Sequence, residues 1–173
     1  MRLLFELDAK DYDPDGRAFV RPSARGIIIK EGKVAMVHSL RYDYYKFPGG
    51  GLEPGEDAKA AMIREVREEA GLEVIPGSVR EYGWVRRVQK NDIPGYDFFY
   101  QENYYYLCEA EERQMPQELD DYEAEAGFTP EWIEPDRAIY VNRYVNTNIQ
   151  GRFTREREAR ILEMLMKEGY FAR

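Results

Sequence analysis

A glycine-rich turn runs directly into an acidic, amphipathic segment in residues 48–72, which read PGGGLEPGEDAKAAMIREVREEAGL. Asp57 suits the N-cap position and Gly71 the C′ position, so the pattern predicts a helix over residues 58–70. Apolar side chains recur on one face of this helix, which we therefore expect to pack against a core. Because glycine has no side chain, the preceding turn can bring its backbone very close to a neighbouring group.

The polar face of this helix brings like charges together. Residues three and four apart share a face, so Glu65, Glu68 and Glu69 present three carboxylates side by side. Two explanations fit: a solvated face with ion pairs to Arg64 and Arg67, or a site for a positive ion. Carboxylate oxygens favour Mg²⁺ or Mn²⁺ over softer metals, and the single histidine excludes a histidine-rich zinc site.

The rest of the chain mixes strands and helices without a regular β-α-β alternation. A closing amphipathic helix is predicted to begin at Thr154 and end at Gly169. Loops are predicted over residues 41–51 and 109–130. Strands are predicted in residues 2–7, 17–22, 27–29, 34–37, 78–89, 96–110 and 131–135. This pattern favours an α+β fold or an α/β/α sandwich with a mixed sheet over a doubly wound parallel sheet.

Length and charge limit the classes of protein to which the chain can belong. Its 173 residues fit one domain over residues 1–173. A net charge of −8 disfavours general nucleic-acid binding, although a metal or a small basic pocket can still bind phosphate locally. One cysteine permits no intrachain disulfide, and we find no apolar run that matches a signal peptide or a membrane span. We therefore expect a soluble, cytoplasmic protein.

Residues 50–72 resemble the Nudix box of the Nudix hydrolases at every fixed position. The matching positions are Gly50, Glu56, Arg64, Glu65, Val66, Glu68, Glu69, Gly71 and Leu72. The preceding FPGG, residues 47–50, is also usual in that family. The resemblance implies the Nudix fold, an α/β/α sandwich around a mixed sheet, in agreement with the pattern of predicted elements.

The resemblance also implies a metal centre. In Nudix enzymes the positions that match Glu65 and Glu69 bind a divalent cation, and the position of Glu68 supplies a further ligand or the base. A glycine carbonyl before the box, here Gly49, adds another oxygen. We therefore predict that Gly49, Glu65, Glu68 and Glu69 bind Mg²⁺, with Mn²⁺ as an alternative, and that Glu65 and Glu68 are catalytic.

Three more residues receive roles from the resemblance. Glu56 and Arg64 usually form a salt bridge that supports the loop against the helix, so we assign them structural roles. Many members take one more carboxylate from a loop after the last long strand. We predict that Glu125 fills this catalytic position.

The substrate-binding residues are chosen from side chains that suit a base or a phosphate. Arg41 and Tyr44 lie just before the box, where an aromatic ring can stack on a base and a guanidinium can contact phosphate. Arg25, Arg86 and Arg87 lie on predicted strands. We predict that Arg41, Tyr44 and Arg86 contact the substrate.

The implied reaction is metal-dependent hydrolysis of a nucleoside diphosphate linked to another group. The expected partner is a small nucleotide, with no membrane and no long nucleic acid, and many family members are homodimers. Sequence markers of the ADP-ribose, dinucleoside polyphosphate, NADH and coenzyme A enzymes are absent. Three alternatives stay open: a non-catalytic nucleotide sensor, an isoprenoid diphosphate isomerase and, among hydrolases, an RNA-decapping enzyme. Retention of all three glutamates favours an enzyme over a sensor.

Overall fold

The computed structural model describes residues 1–145 and 151–172. The strands are β1 (Leu3–Asp8), β2 (Ala18–Val20), β3 (Ser23–Ile27), β4 (Ile29–Lys30), β5 (Lys33–Ser39), β6 (Tyr44–Lys46), β7 (Gly49–Gly51), β8 (Leu72–Val74), β9 (Arg80–Lys90), β10 (Phe98–Leu107), β11 (Ala110–Gln114) and β12 (Phe128–Ile133). The helices are α1 (Ala58–Ala70), α2 (Asp121–Ala126), α3 (Pro135–Tyr144) and α4 (Arg152–Lys167).

The largest sheet is mixed, as the sequence predicts. Its strands follow the order β1-β9-β10-β3-β7, and β2 also pairs with β10. Strands β9 and β10 are antiparallel, whereas β1 runs parallel to β9 and both β2 and β3 run parallel to β10. A second sheet has the order β12-β5-β4 with β6 on β5, and β11 pairs with β8.

Helices cover both sides of this strand layer, which confirms the α/β/α arrangement. Helix α1 packs on one side through a core that contains Ala61, Met62, Val66, Ala24, Ile28, Tyr106 and Cys108. Helices α3 and α4 pack on the other through a core that contains Ala138, Val141, Ile161, Leu162, Leu165, Ile27, Phe47 and Tyr105. Phe47, just before the glycine turn, belongs to the second of these cores.

The predicted limits of α1 are confirmed by its caps. The Asp57 side chain accepts hydrogen bonds from the Lys59 and Ala60 backbone N–H groups at 3.1 and 3.2 Å. Gly71 ends the helix in the left-handed region, with φ of 62°, and its N–H bonds to the Arg67 carbonyl.

Several elements differ from the assignments made from the sequence. The predicted loop over residues 41–51 contains β6 and β7, and the predicted loop over residues 109–130 contains β11, α2 and the start of β12. Helix α3 was not predicted, and α4 begins at Arg152 rather than at Thr154. Short strands such as β6 form because β5 offers a pairing edge, a tertiary effect that local propensity does not carry.

Within residues 1–145 and 151–172, no helix has both the length and the apolar character needed to cross a membrane. The cytoplasmic location stays a prediction.

Candidate active site

Three carboxylates from two helices meet beside the glycine turn. Glu65 and Glu69 lie one turn apart on α1, and Glu123 comes from α2. One oxygen from each lies within 4.8 Å of the others. Glu69 and Glu123 are buried and Glu65 is partly buried, so this group is shielded from water. We call these three residues the carboxylate centre.

Glu69 is the most enclosed member of the carboxylate centre. One of its oxygens accepts the Gly49 N–H at 2.9 Å, and the other pairs with the Lys46 ammonium. Burial raises the pKa of Glu69 to about 7, although Lys46 and the Gly49 N–H oppose this effect. The positive charge of Lys46 therefore does not fully offset the cost of removing the Glu69 carboxylate from water.

Lys46 and Arg25 both reach the Gly49 carbonyl. The Lys46 ammonium lies 3.3 Å from this oxygen, and an Arg25 guanidinium nitrogen lies 3.1 Å from it. Lys46 also stands 4.5 Å from the centre of the Phe128 ring. The predicted carbonyl ligand thus accepts hydrogen bonds from two cationic side chains, and Lys46 links it to Glu69.

Close packing constrains two of the three glycines in the turn, Gly49 against backbone and Gly50 against a side chain. Gly49 has φ of 150°, and a side chain there would collide with the Ala24 carbonyl and with Arg25. A side chain at Gly50 would overlap the Glu65 carboxylate. The turn therefore brings backbone against the carboxylate centre, as the sequence predicts.

A single arginine connects most of the acidic residues of the box. Arg64 binds both oxygens of Glu56 at 2.9 Å, Glu65 at 2.8 Å and Glu68 at 3.0 Å, and reaches the Gly51 carbonyl at 3.3 Å. The pKa of Glu56 falls below its ordinary value because Arg64 stabilises the carboxylate. We call Arg64, Glu56, Glu65 and Glu68 the outer network. Its geometry suits the structural roles expected for Glu56 and Arg64.

Glu68 stands at the edge of the carboxylate centre rather than inside it. Its side chain is one-third exposed and contacts Arg64, which also binds Glu65. Burial raises the pKa of Glu65, so Arg64 does not fully compensate that carboxylate either. The predicted metal and catalytic roles of Glu68 stay predictions.

Helix α2 directs Glu123, not Glu125, toward the carboxylate centre. Glu123 accepts hydrogen bonds from the Asp120 N–H at 3.0 Å and the Tyr122 hydroxyl at 2.9 Å, which orient its carboxylate. Glu125 is 70% exposed and pairs with Arg41, which is half exposed. The structure therefore places the predicted catalytic Glu125 and the predicted substrate-binding Arg41 together at the surface. Residues two apart on a helix do not share a face.

A pocket of about 310 Å³ opens beside the carboxylate centre. Tyr44 lies on its wall, beneath the Arg155 guanidinium, and its contact with a substrate stays a prediction. Arg87 lines the pocket and Arg86 does not, because successive side chains of β9 point to opposite faces. Arg86 pairs instead with Glu6 on β1 at 2.7 Å. The structure thus places Arg86 on the face of β9 opposite to the one that lines this pocket.

A buried polar group that the sequence reading missed supports the turn from α4. We call it the inner network, which consists of Ser23, Asn103, Tyr105, Arg157 and Glu158. Arg157 binds Glu158 at 2.6 Å and Asn103 at 2.6 Å. Glu158 also accepts the Tyr105 hydroxyl at 3.1 Å and the Phe47 N–H at 3.0 Å. It therefore fixes the backbone just before the glycines.

The carboxylate centre fits a hard divalent cation. Its donors are all carboxylate oxygens, which suit Mg²⁺ or Mn²⁺. Burial is the main cause of the raised pKa values of Glu65 and Glu69, and the neighbouring Glu123 carboxylate raises both further. Glu65, Glu69 and Glu123 are the side chains that would hold the ion.

Fold and site together define an α/β/α protein with a carboxylate centre on the helix that follows a glycine turn. The NUDIX domain family model matches residues 20–156, and the chain belongs to this family. A solved relative, a NUDIX hydrolase from Nitrosomonas europaea, superposes with a TM-score of 0.55 at 17% identity, covering 83% of this chain and 90% of that one. That likeness supports the fold.

Curated relatives resemble the chain over shorter stretches. The RNA pyrophosphohydrolase of Hydrogenovibrio crunogenus is 39% identical over 83 residues, which are 47% of each chain. The RNA pyrophosphohydrolase of Legionella pneumophila strain Corby is 47% identical over 53 residues, 31% of this chain and 29% of the relative. The chain thus spans less than half the length of these relatives. The comparisons give no support for the expected homodimer.

Proposed function

We propose that this protein is a divalent-metal-dependent hydrolase that cleaves the pyrophosphate linkage of a nucleoside diphosphate joined to another group. The observation that carries the proposal is the carboxylate centre itself. Three carboxylates from α1 and α2 stand within 4.8 Å of one another beside a pocket lined by cationic side chains. Acidic groups for a cation and basic groups for a phosphate are thus brought together.

In this proposal, different residues of the chain bind the ion and the substrate. A divalent cation would neutralise the charge of the pyrophosphate and lower the pKa of a water bound to it. Glu65, Glu69 and Glu123 would hold that ion, and Glu68 lies at the edge of the centre, bound to Arg64. Lys46 lies between Glu69 and the pocket, so it can donate to a phosphate oxygen once it releases Glu69. Mg²⁺ is the proposed ion, with Mn²⁺ as the alternative.

The names of the curated relatives support a substrate with a pyrophosphate bond in a nucleotide or at an RNA end. A net charge of −8 supports a short ligand rather than a long nucleic-acid track. We also propose that residues 1–173 form one domain, since β1, outside the matched range, pairs along β9.

Lys46 is the observation that favours a second candidate, a nucleotide sensor without catalysis. Its ammonium pairs with Glu69 and contacts the Gly49 carbonyl, two of the groups predicted as metal ligands. In a sensor this ammonium would permanently take the place of the cation. In a hydrolase the metal must displace it.

A substrate panel separates the two candidates. Purified protein is incubated with nucleoside triphosphates, ADP-ribose, nucleotide sugars, dinucleoside polyphosphates, NADH and a 5′-triphosphorylated oligonucleotide, with Mg²⁺ or Mn²⁺. We expect metal-dependent cleavage that Glu69→Gln abolishes and that Glu73→Gln, at an exposed position of β8, leaves unchanged. Tight nucleotide binding without cleavage of any substrate would replace the hydrolase by the sensor.

A further inference from the structure

The pocket beside the carboxylate centre is cationic, although the chain as a whole is acidic. Among the described residues that line it, none is acidic, and five are cationic: Arg21, Arg25, Lys46, Arg87 and Arg157. The chain holds 25 lysines and arginines against 33 acidic residues. A concentration of one sign of charge against the net charge indicates an anionic ligand.

Carboxylates inside the protein account for only three of these cations. Lys46 pairs with Glu69, whereas Arg157 binds Glu158 and Arg25 stands 3.9 Å from it. Across residues 1–145 and 151–172, Arg21 and Arg87 have no acidic partner within ion-pair distance. Residues 146–150, which read NTNIQ, contain no acidic side chain.

Arg87 is the more constrained of the two. Arg21 is exposed at the rim, whereas Arg87 is partly buried. Its guanidinium donates to the Gln89 side-chain oxygen at 3.0 and 3.2 Å and stands 5.4 Å from the ring centres of Phe99 and Phe153. These contacts fix the direction of the guanidinium without supplying a negative charge.

The electrostatic surroundings of Arg87 are unfavourable in the absence of a ligand. Burial, with smaller contributions from Arg157 and Arg25, lowers the pKa of Arg87 to about 9. A guanidinium held this way gains from an anion placed between it and its cationic neighbours. Phosphate is the anion that its planar fork of donors matches.

We propose that Arg87 is a specificity-determining residue that binds a phosphate of the substrate lying outside the carboxylate centre. The inference rests on the proposed function for the identity of the substrate and on the pocket for the anion site. The contact with Arg87 selects nucleotides with a triphosphate chain over nucleotide sugars in which the second group is neutral. A free nucleoside triphosphate and a triphosphorylated RNA end share this chemistry.

The position of Arg87 allows for either source. Arg87 and Phe99 also line a neighbouring pocket of about 370 Å³, whose other walls come from residues 89–93, at the end of β9 and the start of the β9–β10 connection. A ligand that binds Arg87 can therefore continue past it toward Lys90, as the second nucleotide of an RNA end would.

Binding without turnover tests the proposal directly. Inorganic tripolyphosphate is titrated calorimetrically into the protein in EDTA, so that no hydrolysis contributes. We expect Arg87→Gln to weaken binding about 10- to 100-fold, the loss expected for a charged hydrogen-bonded contact, and Arg87→Lys to weaken it less. Arg86→Gln, the adjacent arginine that pairs with Glu6, is the matched variant and should bind normally. Equal affinities for wild type and Arg87→Gln would overturn the proposal.

Thermal unfolding separates a ligand-binding arginine from a structural one. Without ligand, Arg87→Gln should unfold at the same or a higher temperature, because it removes an uncompensated cation. Tripolyphosphate should raise the unfolding temperature of the wild type more than that of the variant. A variant that is less stable without ligand and gains equally from it would assign Arg87 a structural role and overturn the proposal.

Catalysis then distinguishes this proposal from the proposed function. ATP and a 5′-triphosphorylated oligonucleotide are compared as substrates of wild type and Arg87→Gln. A loss of kcat/KM of about 10-fold or more for either supports the proposal and identifies the source of the triphosphate. Cleavage that is unaffected by the variant would overturn it and leave the hydrolase standing. Tripolyphosphate binding that depends on Arg87, without cleavage, would retain the anion site and reject the hydrolase.

Discussion

Two arginine–glutamate networks hold opposite ends of the same glycine turn, and they differ in burial. In the outer network, Arg64 reaches the Gly51 carbonyl and is about one-quarter exposed. In the inner network, Glu158 binds the Phe47 N–H and has no exposed surface. The outer network lies within one contiguous motif, whereas the inner network joins two strands, β3 and β10, to α4.

Burial decides how much each network contributes to stability. A partly exposed ion pair contributes about 0–1 kcal/mol, because water and salt screen it. Removal of one partner from a buried pair costs about 3–5 kcal/mol, because the remaining charge has no compensation. The conspicuous acidic motif therefore contributes little to folding, and the inconspicuous buried pair contributes much.

Glu158→Gln should give the largest effect on stability. It leaves Arg157 buried without a counter-charge, so we expect the free energy of unfolding to fall by about 3–5 kcal/mol. Glu156→Gln, two residues earlier on α4, removes a one-third-exposed carboxylate that pairs with Arg160 and should cost less than about 1 kcal/mol. Urea denaturation measures both, and similar losses would remove the distinction between the networks.

Arg64→Met should have an intermediate effect. It removes the cation shared by Glu56, Glu65 and Glu68, and we expect a loss of about 1–2 kcal/mol in the free energy of unfolding without metal. Saturating Mn²⁺ should restore part of it, because the ion replaces the missing positive charge. The control is Arg67→Met on the same helix, which breaks the exposed pair between Arg67 and Glu118. A loss as large as that of Glu158→Gln would contradict the ranking.

Glu56→Gln should give the smallest effect, and it should depend on pH. Because Arg64 lowers the pKa of Glu56 below 4.5, its contribution is complete above that pH and is lost as the pH falls through the lowered value. The free energy of unfolding of the wild type should exceed that of the variant by about 0.5 kcal/mol at pH 7, and the two values should converge in acid. Urea titrations at both pH values provide the measurement. If the difference in the free energy of unfolding widened on acidification, folding would raise the pKa of Glu56 rather than lower it.

The Glu56–Arg64 pair of the outer network was implied by the resemblance, and ion pairs from Arg64 to the glutamates were one of two explanations, because all these residues lie in one helix and the turn before it. Helical spacing places Glu65 and Glu69 together wherever the helix packs. Glu123 was missed because residues 109–130 read as a loop. A loop has no helical periodicity that could show which of Glu123 and Glu125 faces the carboxylate centre. Arg86 was chosen over Arg87 for a different reason: the strand was predicted, but its pattern did not show which face lines the pocket, and a shift of one residue reverses the face of a strand.

The inner network escaped prediction because its members are far apart in the chain. Ser23 and Asn103 meet through the parallel pairing of β3 and β10, which no local pattern encodes. One signal was available: Glu158 continues the apolar stripe of Leu162 and Leu165 on α4, and a charge on a buried face needs a partner.

The most direct test of the carboxylate centre compares two glutamates of α2. Mn²⁺ affinity is measured by titration calorimetry for wild type, Glu123→Gln and Glu125→Gln. We predict that Glu123→Gln weakens binding about tenfold or more, because it removes a charged ligand, while Glu125→Gln binds as wild type. Weaker binding in Glu125→Gln, with Glu123→Gln unchanged, would contradict the centre formed by Glu65, Glu69 and Glu123.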